Sequence, residues 1–117
     1  MKKLYLACPY SDPDPKVRNQ RVRQASMVAG ALMRRGYIVF SAITHTHEIA
    51  EYGGIDPMDR EFWLTQDRTF VEWADEIVVL MIDGWDRSIG VRREIEWARE
   101  LDKPVRYILG GGASSAS

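Results

Sequence analysis

Short apolar runs alternate with amphipathic segments along the chain. Runs rich in β-branched and aromatic residues predict four strands, at Lys3–Cys8, Tyr37–Phe40, Glu76–Ile82 and Val105–Leu109. Apolar residues that recur every three or four positions predict three helices: one that begins within residues 12–15 and ends at Gly36, and two more at Asp59–Ala74 and Ser88–Leu101. Residues 41–58 show no clear period, so we expect a long loop there, which could include a short helical turn.

The order of these segments indicates the fold class. Strands that alternate with helices predict right-handed crossovers and a parallel sheet. We expect a three-layer α/β fold of the flavodoxin or Rossmann type, with four to five strands and helices on both faces. Residues 1–109 would form one domain, followed by a flexible Gly- and Ser-rich tail at 110–117. Ligands of such folds bind beyond the carboxyl ends of the strands, where the strand order reverses. The segments expected there are 7–12, 41–48, 82–85 and the start of the last helix.

Composition and charge narrow the class of protein. Of the 117 residues 45% are hydrophobic, and 16 Lys and Arg residues nearly balance 17 Asp and Glu residues. This balance argues against a nucleic-acid polymer or a membrane surface as partner. The apolar run before Pro9 is too short for a signal peptide, so we expect a cytoplasmic protein. The single cysteine, Cys8, excludes an intramolecular disulfide and a multi-cysteine zinc site.

One carboxylate lies on the apolar side of the last predicted helix. At about 100° per residue, Glu94 falls inside the apolar arc formed by Val91, Ile95, Ala98 and Leu101. Because a lone buried carboxylate is costly, it must be paired, hydrogen-bonded or partly protonated. A purely structural glutamate remains one interpretation. Its position less than two turns from the helix start favours another, in which it points to the mouth of the ligand crevice.

The start of the same helix offers a site for an anion. Ser88, Ile89 and Gly90 place free backbone N–H groups and a hydroxyl at the positive end of the helix dipole. Gly90 would let a ligand approach the backbone closely. The alternative is that Ser88 only caps the helix. The two interpretations are compatible, because both use the same donors.

Several segments taken together resemble the nucleoside 2-deoxyribosyltransferase-like superfamily, and especially its small bacterial members. The resemblance covers most of residues 3–109. Residues 5–10 (YLACPY) are similar to the "YLAGP" start of the family, and the stretch from Asp67 to Asp75 looks like its passage from helix to strand. The remaining matches are residues 84–90 (GWDRSIG), Glu94, Ala98 and residues 103–105 (KPV).

This resemblance implies an enzyme that cleaves or exchanges the N-glycosidic bond of nucleosides or nucleotides. Glu94 would attack the anomeric carbon, Asp67 would hold or protonate the base, and Tyr5 would orient the glutamate. Ser88 stands six residues before Glu94, where nucleotide hydrolases of the family bind a 5′-phosphate and the transferases carry a sugar-binding Asp. The resemblance implies no metal and no cofactor. The family carries small residues just before the glutamate, whereas this chain has Arg92 and Arg93.

Other side chains of the expected ligand loops could contact a substrate. They are Pro9, Tyr10, His45, His47, Gly84 and Trp85. Tyr10 and Trp85 could stack on a base, and the histidines could contact a base or sugar or be solvated loop residues. His45 and His47, with Glu48 beside them, could also hold zinc. However, their imidazoles diverge in an extended segment and the chain has no third histidine, so we expect no metal site. Cys8 is expected to be a packing residue rather than a nucleophile.

The leading hypothesis is a hydrolase that cleaves the N-glycosidic bond of a nucleoside 5′-monophosphate or related nucleotide through a Glu94 nucleophile. The alternatives are a nucleoside deoxyribosyltransferase, a nucleotide-binding or sensing domain without turnover, and a flavodoxin-like signalling domain without a ligand. The expected partner is a small-molecule nucleoside or nucleotide. A homo-oligomer, a dimer or larger, is also expected, because the superfamily assembles and the small chain carries four Trp residues.

Overall fold

In the computed structural model, which describes residues 2–110, four parallel strands form one sheet in the order β2-β1-β3-β4. Most of the predicted tail, residues 111–117, lies outside the described residues. The elements along the chain are β1 (Lys3–Ala7), α1 (Pro15–Arg34), β2 (Ile38–Ser41), α2 (Ala42–Gly53), α3 (Arg60–Trp73), β3 (Glu76–Met81), a 3₁₀ turn (Trp85–Arg87), α4 (Ile89–Glu100) and β4 (Val105–Leu109).

The sheet lies between two helical layers, so the predicted three-layer α/β fold is confirmed. Strand β1 pairs with β2 and with β3, and its residues 4–7 are buried on both faces. Leu4 and Leu6 pack into a core cluster with α1, whereas Tyr5 and Ala7 face the opposite way, into a cluster with α3 and α4. This alternation follows from the two-residue period of a strand. Within the described residues, no helix is long and apolar enough to cross a membrane.

Helix α2 corrects the expectation of a long loop over residues 41–58. Its buried positions, Ala42, Ile43, Thr46 and Ala50, have the spacing of one helix face. The pattern was missed because two of these residues are small alanines and one is polar, so they carry little hydrophobic signal. The helix ends at Gly54, whose φ of 72° is the left-handed conformation that glycine adopts most readily at this position.

The other helices begin within the predicted segments, and a side chain caps the start of each. The Asp14 side chain accepts a hydrogen bond from the backbone N–H of Lys16, and Pro15 occupies the first turn of α1. Asp59 caps α3 in the same manner. Ser88 caps α4 by accepting from the backbone N–H of Val91 at 3.1 Å. These caps determine where α3 and α4 start, and therefore which of their side chains face the sheet edge.

The strand order creates a switch point between β1 and β3. The chain leaves β1 for β2 on one side of it and later returns to β3 on the other side. The loops that follow β1 and β3 therefore diverge and leave a crevice beyond the carboxyl ends of the two strands, where ligands of doubly wound folds bind.

Candidate active site

A cavity of about 380 Å³ occupies this crevice, and we call it the switch-point cavity. Its walls are the β1–α1 loop at residues 8–12, one face of α2, the first half of α3, the β3–α4 loop and the start of α4. The volume lies within the range of small-molecule sites, which starts at roughly 300 Å³. The cavity therefore has room for a ligand of the size of a nucleoside.

Glu94 and Tyr5 form a buried pair at the inner end of this cavity. Glu94 extends from α4, lines the cavity and is only 5% exposed. The Tyr5 hydroxyl donates a hydrogen bond to Glu94 Oε2 at 2.5 Å. The Tyr5 ring is fully buried behind the glutamate and packs against Phe40, with 5.6 Å between the ring centroids. The tyrosine thus holds the carboxyl group in one orientation.

Asp67 brings a second carboxyl group to the same cavity. It extends from α3, lines the cavity and is 5% exposed. Its Oδ1 atom is buried, and among residues 2–110 it has no hydrogen-bond partner. A buried oxygen without a partner is costly and calls for an explanation, and a ligand in the cavity would provide one.

Burial shifts the protonation of both carboxyl groups. Desolvation, reinforced by the negative charge of Asp67, raises the pKa of Glu94 from 4.5 to about 8, against the opposing hydrogen bond from Tyr5. Desolvation also raises the pKa of Asp67, from 3.8 to about 7, and Tyr5 again opposes the shift. Burial keeps the pKa of Tyr5 well above 10, so its hydroxyl remains a donor. Near neutral pH the pair of carboxyl groups therefore retains at least one proton.

The start of α4 forms the opposite end of the cavity. Ser88 Oγ accepts from the N–H of Val91, so its own hydrogen is left to donate, and the N–H groups of Ile89 and Gly90 lie in the first turn, before intrahelical bonding begins. A Cβ at Gly90 would meet only Ser88 Oγ, at 3.8 Å, so the backbone there is open to a ligand. Arg21 and Arg87 also line the cavity, and Arg87 is ion-paired with Asp83 and Asp86. This end suits an anionic group.

Gly84 and Arg21 join the two loops that border the cavity. Arg21 donates to the carbonyl oxygens of Ser11 and Asp83, each at 3.2 Å, and so links the β1–α1 loop to the β3–α4 loop. Gly84 has a φ of 93°, and a Cβ there would lie 2.7 Å from Arg21 Nη2. Both the left-handed backbone conformation and the nearby Arg21 guanidinium therefore favour glycine at residue 84.

Pro9 and Tyr10 lie on the β1–α1 loop and line the cavity, as expected from their positions. The Tyr10 hydroxyl makes a 2.8 Å hydrogen bond with His47 Nδ1, which connects this loop to α2. Cys8 also lines the cavity. Burial raises the pKa of its thiol to about 12, which suits packing and not nucleophilic attack.

Three of the expected ligand contacts lie outside the switch-point cavity. His47 reaches it only through Tyr10, and His45 packs against Phe40 and Phe70, at centroid distances of 5.2 and 5.9 Å. Both histidines belong to a helix and not to a loop, and the buried face of that helix carries other residues. Trp85 is turned by the 3₁₀ segment towards β4, where it packs on Tyr107. Among residues 2–110 no group of three or more metal-ligating side chains comes together.

Sequence reasoning placed segment 41–48 at the ligand crevice, but it singled out none of the residues that line the α2–α3 end of the cavity. Its walls are Ile43, Thr46, Pro57, Arg60, Trp63 and Leu64. The Trp63 indole Nε1–H donates to the carbonyl of Asp56 at 3.0 Å, which anchors the connection between α2 and α3. The position of this segment after β2 pointed to the wall, and the helical spacing of its buried residues would have pointed to Ile43 and Thr46.

The fold and the site define a small Rossmann-like α/β protein with a ligand cavity built on two buried carboxyl groups. The chain belongs to the family described as a domain of unknown function, DUF1937, whose model matches residues 2–109. Its structure is similar to that of a 2-deoxyribosyltransferase from the psychrotolerant bacterium Bacillus psychrosaccharolyticus. The match has a TM-score of 0.65 and 25% sequence identity, over 92% of this chain and 72% of that one. No curated protein matches the chain significantly in sequence. The resemblance to the nucleoside 2-deoxyribosyltransferase-like superfamily is confirmed.

Proposed function

We propose that the protein breaks the N-glycosidic bond of a nucleoside or nucleoside 5′-monophosphate and carries the sugar on Glu94. The observation that supports this most directly is the pair of buried carboxyl groups, Glu94 and Asp67, in one nucleoside-sized cavity, with Tyr5 bonded to the glutamate. The similarity to a 2-deoxyribosyltransferase supports the same class of reaction.

The topology suggests how a substrate would lie. Helix α2 follows β2, which flanks β1 on the side away from β3, whereas α4 follows β3. The base would therefore occupy the α2–α3 end, beside the apolar side chains of Ile43 and Leu64. The sugar would lie over Glu94, and its 5′ substituent would point to Ser88 and the N–H groups at the start of α4.

The reaction then proceeds in two displacements. A carboxylate oxygen of Glu94 attacks C1′, the electron pair of the glycosidic bond moves to the base nitrogen, and protonated Asp67 supplies the proton that the leaving base requires. A second nucleophile, either a nitrogen of another base or water, next attacks C1′, gives up its proton to the Asp67 carboxylate and releases Glu94 as a carboxylate. The productive form holds one proton on Asp67 and none on Glu94, whereas the higher pKa of Glu94 leaves the shared proton mainly on Glu94 in the free protein, so the bound substrate has to shift that proton to Asp67. The hydrogen bond from Tyr5 stabilises the ionised glutamate in this form.

We infer transfer to a second base as the main outcome, because the similar enzyme is a deoxyribosyltransferase. Hydrolysis is the second candidate. It is favoured by Ser88, which stands where nucleotide hydrolases of the superfamily bind phosphate, and by Arg21 and Arg87, which also line the cavity. The two outcomes differ only in the acceptor of the second step.

The test is to incubate the protein with a panel of nucleosides and 5′-monophosphates, with and without a second free base, and to separate the products by chromatography. We expect free base, or an exchanged nucleoside when a second base is present. Glu94→Gln should abolish both. Glu96→Gln is the matched control, because Glu96 lies on the same helix but is exposed and outside the cavity. The proposal fails if no substrate yields base or if the Glu94 variant is as active as the wild type.

A binding or sensing role without turnover is distinguished by the same panel. Calorimetry would then show saturable binding of a nucleotide, while long incubation releases no base. Intact-mass measurement during turnover adds a direct check, since a sugar adduct should be present on the wild type and absent from Glu94→Gln.

Two further expectations also remain predictions. We propose a homo-oligomer, and an exposed apolar patch on the edge strand β4 supports it, since Leu109 is 72% exposed and Tyr107 lies beside it. Light scattering of the purified protein would measure its mass, and a strictly monomeric protein would contradict this. The cytoplasmic location is the second expectation, and cell fractionation tests it.

A further inference from the structure

Thr46 places a hydroxyl group on the wall of the switch-point cavity, where no other side chain or backbone group of residues 2–110 bonds to it. The residue is 4% exposed. Two other threonine hydroxyl groups at helical positions bond back to a carbonyl of the preceding turn. Thr44 donates to the carbonyl of Ser41 at 3.1 Å, and Thr65 donates to that of Glu61 at 2.9 Å.

This hydroxyl contributes no hydrogen bond to the fold. A valine would fill the same volume, so replacing Thr46 by valine should not cost the folded protein an internal hydrogen bond. Thr46 lies on the buried face of α2 with Ile43, so its side chain cannot turn away from the cavity without exposing the helix face. A ligand bound in the cavity would therefore be within reach of the hydroxyl.

The surroundings indicate the chemistry of that ligand. The same end of the cavity is walled by apolar and aromatic side chains, Ile43, Leu64 and Trp63, and the cavity also contains an unpartnered buried oxygen, Asp67 Oδ1. A flat heterocycle with an apolar face and polar atoms on its edge fits both the walls and the two oxygens.

We infer that Thr46 is a binding residue for the leaving base, and that its hydroxyl bonds to a heteroatom on the edge of that base. This inference rests on the proposed function, because it takes the α2–α3 end of the cavity as the base end. Thr46 would then help to determine which bases the protein prefers. A base without a heteroatom next to Thr46 would leave the hydroxyl unpaired, and its binding would be weaker for that reason.

The test compares Thr46→Val, which removes the hydroxyl at constant volume, with Thr46→Ser, which keeps it. Thr65→Val is the control, because that hydroxyl bonds within α3 and lies on the surface. The probes are the 2′-deoxynucleosides of the four common bases, measured by calorimetry and by kcat/KM. Thr46→Val should weaken binding and kcat/KM by about three- to ten-fold, the value of one hydrogen bond, for at least one base. Thr46→Ser should stay within about two-fold of the wild type.

Urea unfolding provides a measurement that does not depend on activity. If the hydroxyl faces a ligand, Thr46→Val should be as stable as the wild type or more stable. If Thr46→Val is less stable than the wild type while Thr46→Ser is not, the hydroxyl stabilises the fold. This result would overturn the inference. Unchanged affinity for every base would also overturn it while leaving the proposed function intact. If the wild type neither binds nor cleaves any probe, the proposed function fails and the assignment of Thr46 fails with it.

Discussion

The buried Glu94 should make the protein less stable as the pH rises, and Glu94→Gln should remove this effect. The folded state raises the pKa of this carboxyl group from 4.5 to about 8. Between these two values the unfolded chain ionises while the folded chain holds its proton. The unfolded state therefore binds fewer protons, and the free energy of unfolding falls with increasing pH. Below 4.5 both states are protonated and the effect vanishes.

The magnitude follows from the width of this window. Each pH unit in which only the unfolded state is ionised costs about 1.4 kcal/mol. Between pH 5 and pH 8 the contribution of Glu94 is therefore about 3 kcal/mol, a large part of the stability of a domain of this size. A glutamine has the shape of the protonated glutamic acid, and its amide oxygen can still accept the hydrogen bond from Tyr5.

Urea unfolding followed by tryptophan fluorescence measures this effect at several pH values from 5 to 8. The quantity of interest is the stability of Glu94→Gln minus that of the wild type, because groups common to both proteins cancel. We expect this difference to grow by about 3 kcal/mol over the range, in favour of the variant. For the exposed Glu96→Gln the difference from the wild type should be flat. A flat difference for Glu94→Gln would refute the argument that its carboxyl group is buried and protonated.

Four other measurements test the remaining parts of the structure. A plot of the rate of base release against pH should be bell-shaped, with a maximum between about 7 and 8, because the reaction requires one proton shared by Glu94 and Asp67. A rate that is constant from pH 5 to 9 would contradict this. Glu76→Gln should lower the free energy of unfolding at pH 7, because ion pairs with Lys2 and Arg106 lower the pKa of Glu76, and the loss should shrink as the pH falls through that pKa. Lys103→Met should cost about 1–3 kcal/mol in urea unfolding, since the ammonium group bonds three carbonyl oxygens at the end of α3; an unchanged midpoint would contradict that role. Tyr10→Phe removes only the hydrogen bond to His47 and should speed amide exchange in the β1–α1 loop, whereas unaltered exchange would show that the bond does not hold the loop.

The architecture was predictable from the sequence because its signals are local. The apolar runs of the strands and the three-residue and four-residue spacing of α1, α3 and α4 arise from burial on one or two faces, and the structure confirms them. Glu94 stood out for the same reason, as a charge inside an apolar arc, and it is buried as that pattern required. Helix α2 was missed because Ala42, Thr46 and Ala50 bury a helix face with small or polar side chains.

The parts of the site that depend on tertiary packing could not be predicted from patterns. Strand β1 is buried on both faces, so its apolar run does not show which face holds Tyr5, and the resemblance to a family supplied that residue. Trp85 was expected at the ligand, but the 3₁₀ turn directs it to Tyr107. The pairing of Tyr10 with His47 joins two segments 37 positions apart, which no local pattern encodes.

Two buried glutamates, one on β3 and one on α4, lie at opposite ends of the strands and show where the fold leaves polar groups without partners. Glu76, at the amino end of β3, is bonded by Lys2 and Arg106, and its pKa is lowered. Glu94, at the carboxyl end of the sheet, is desolvated with a single hydroxyl partner, and its pKa is raised. Of the two buried side-chain oxygens without a partner among residues 2–110, Asp67 Oδ1 lines the same cavity, whereas Ser41 Oγ, at the end of β2, does not. The chain thus pairs its buried glutamate at the amino end of the strands and leaves the one at the carboxyl end without an ionic partner. The destabilising group therefore lies where a bound ligand can compensate it. A true substrate analogue should for this reason also raise the midpoint of unfolding.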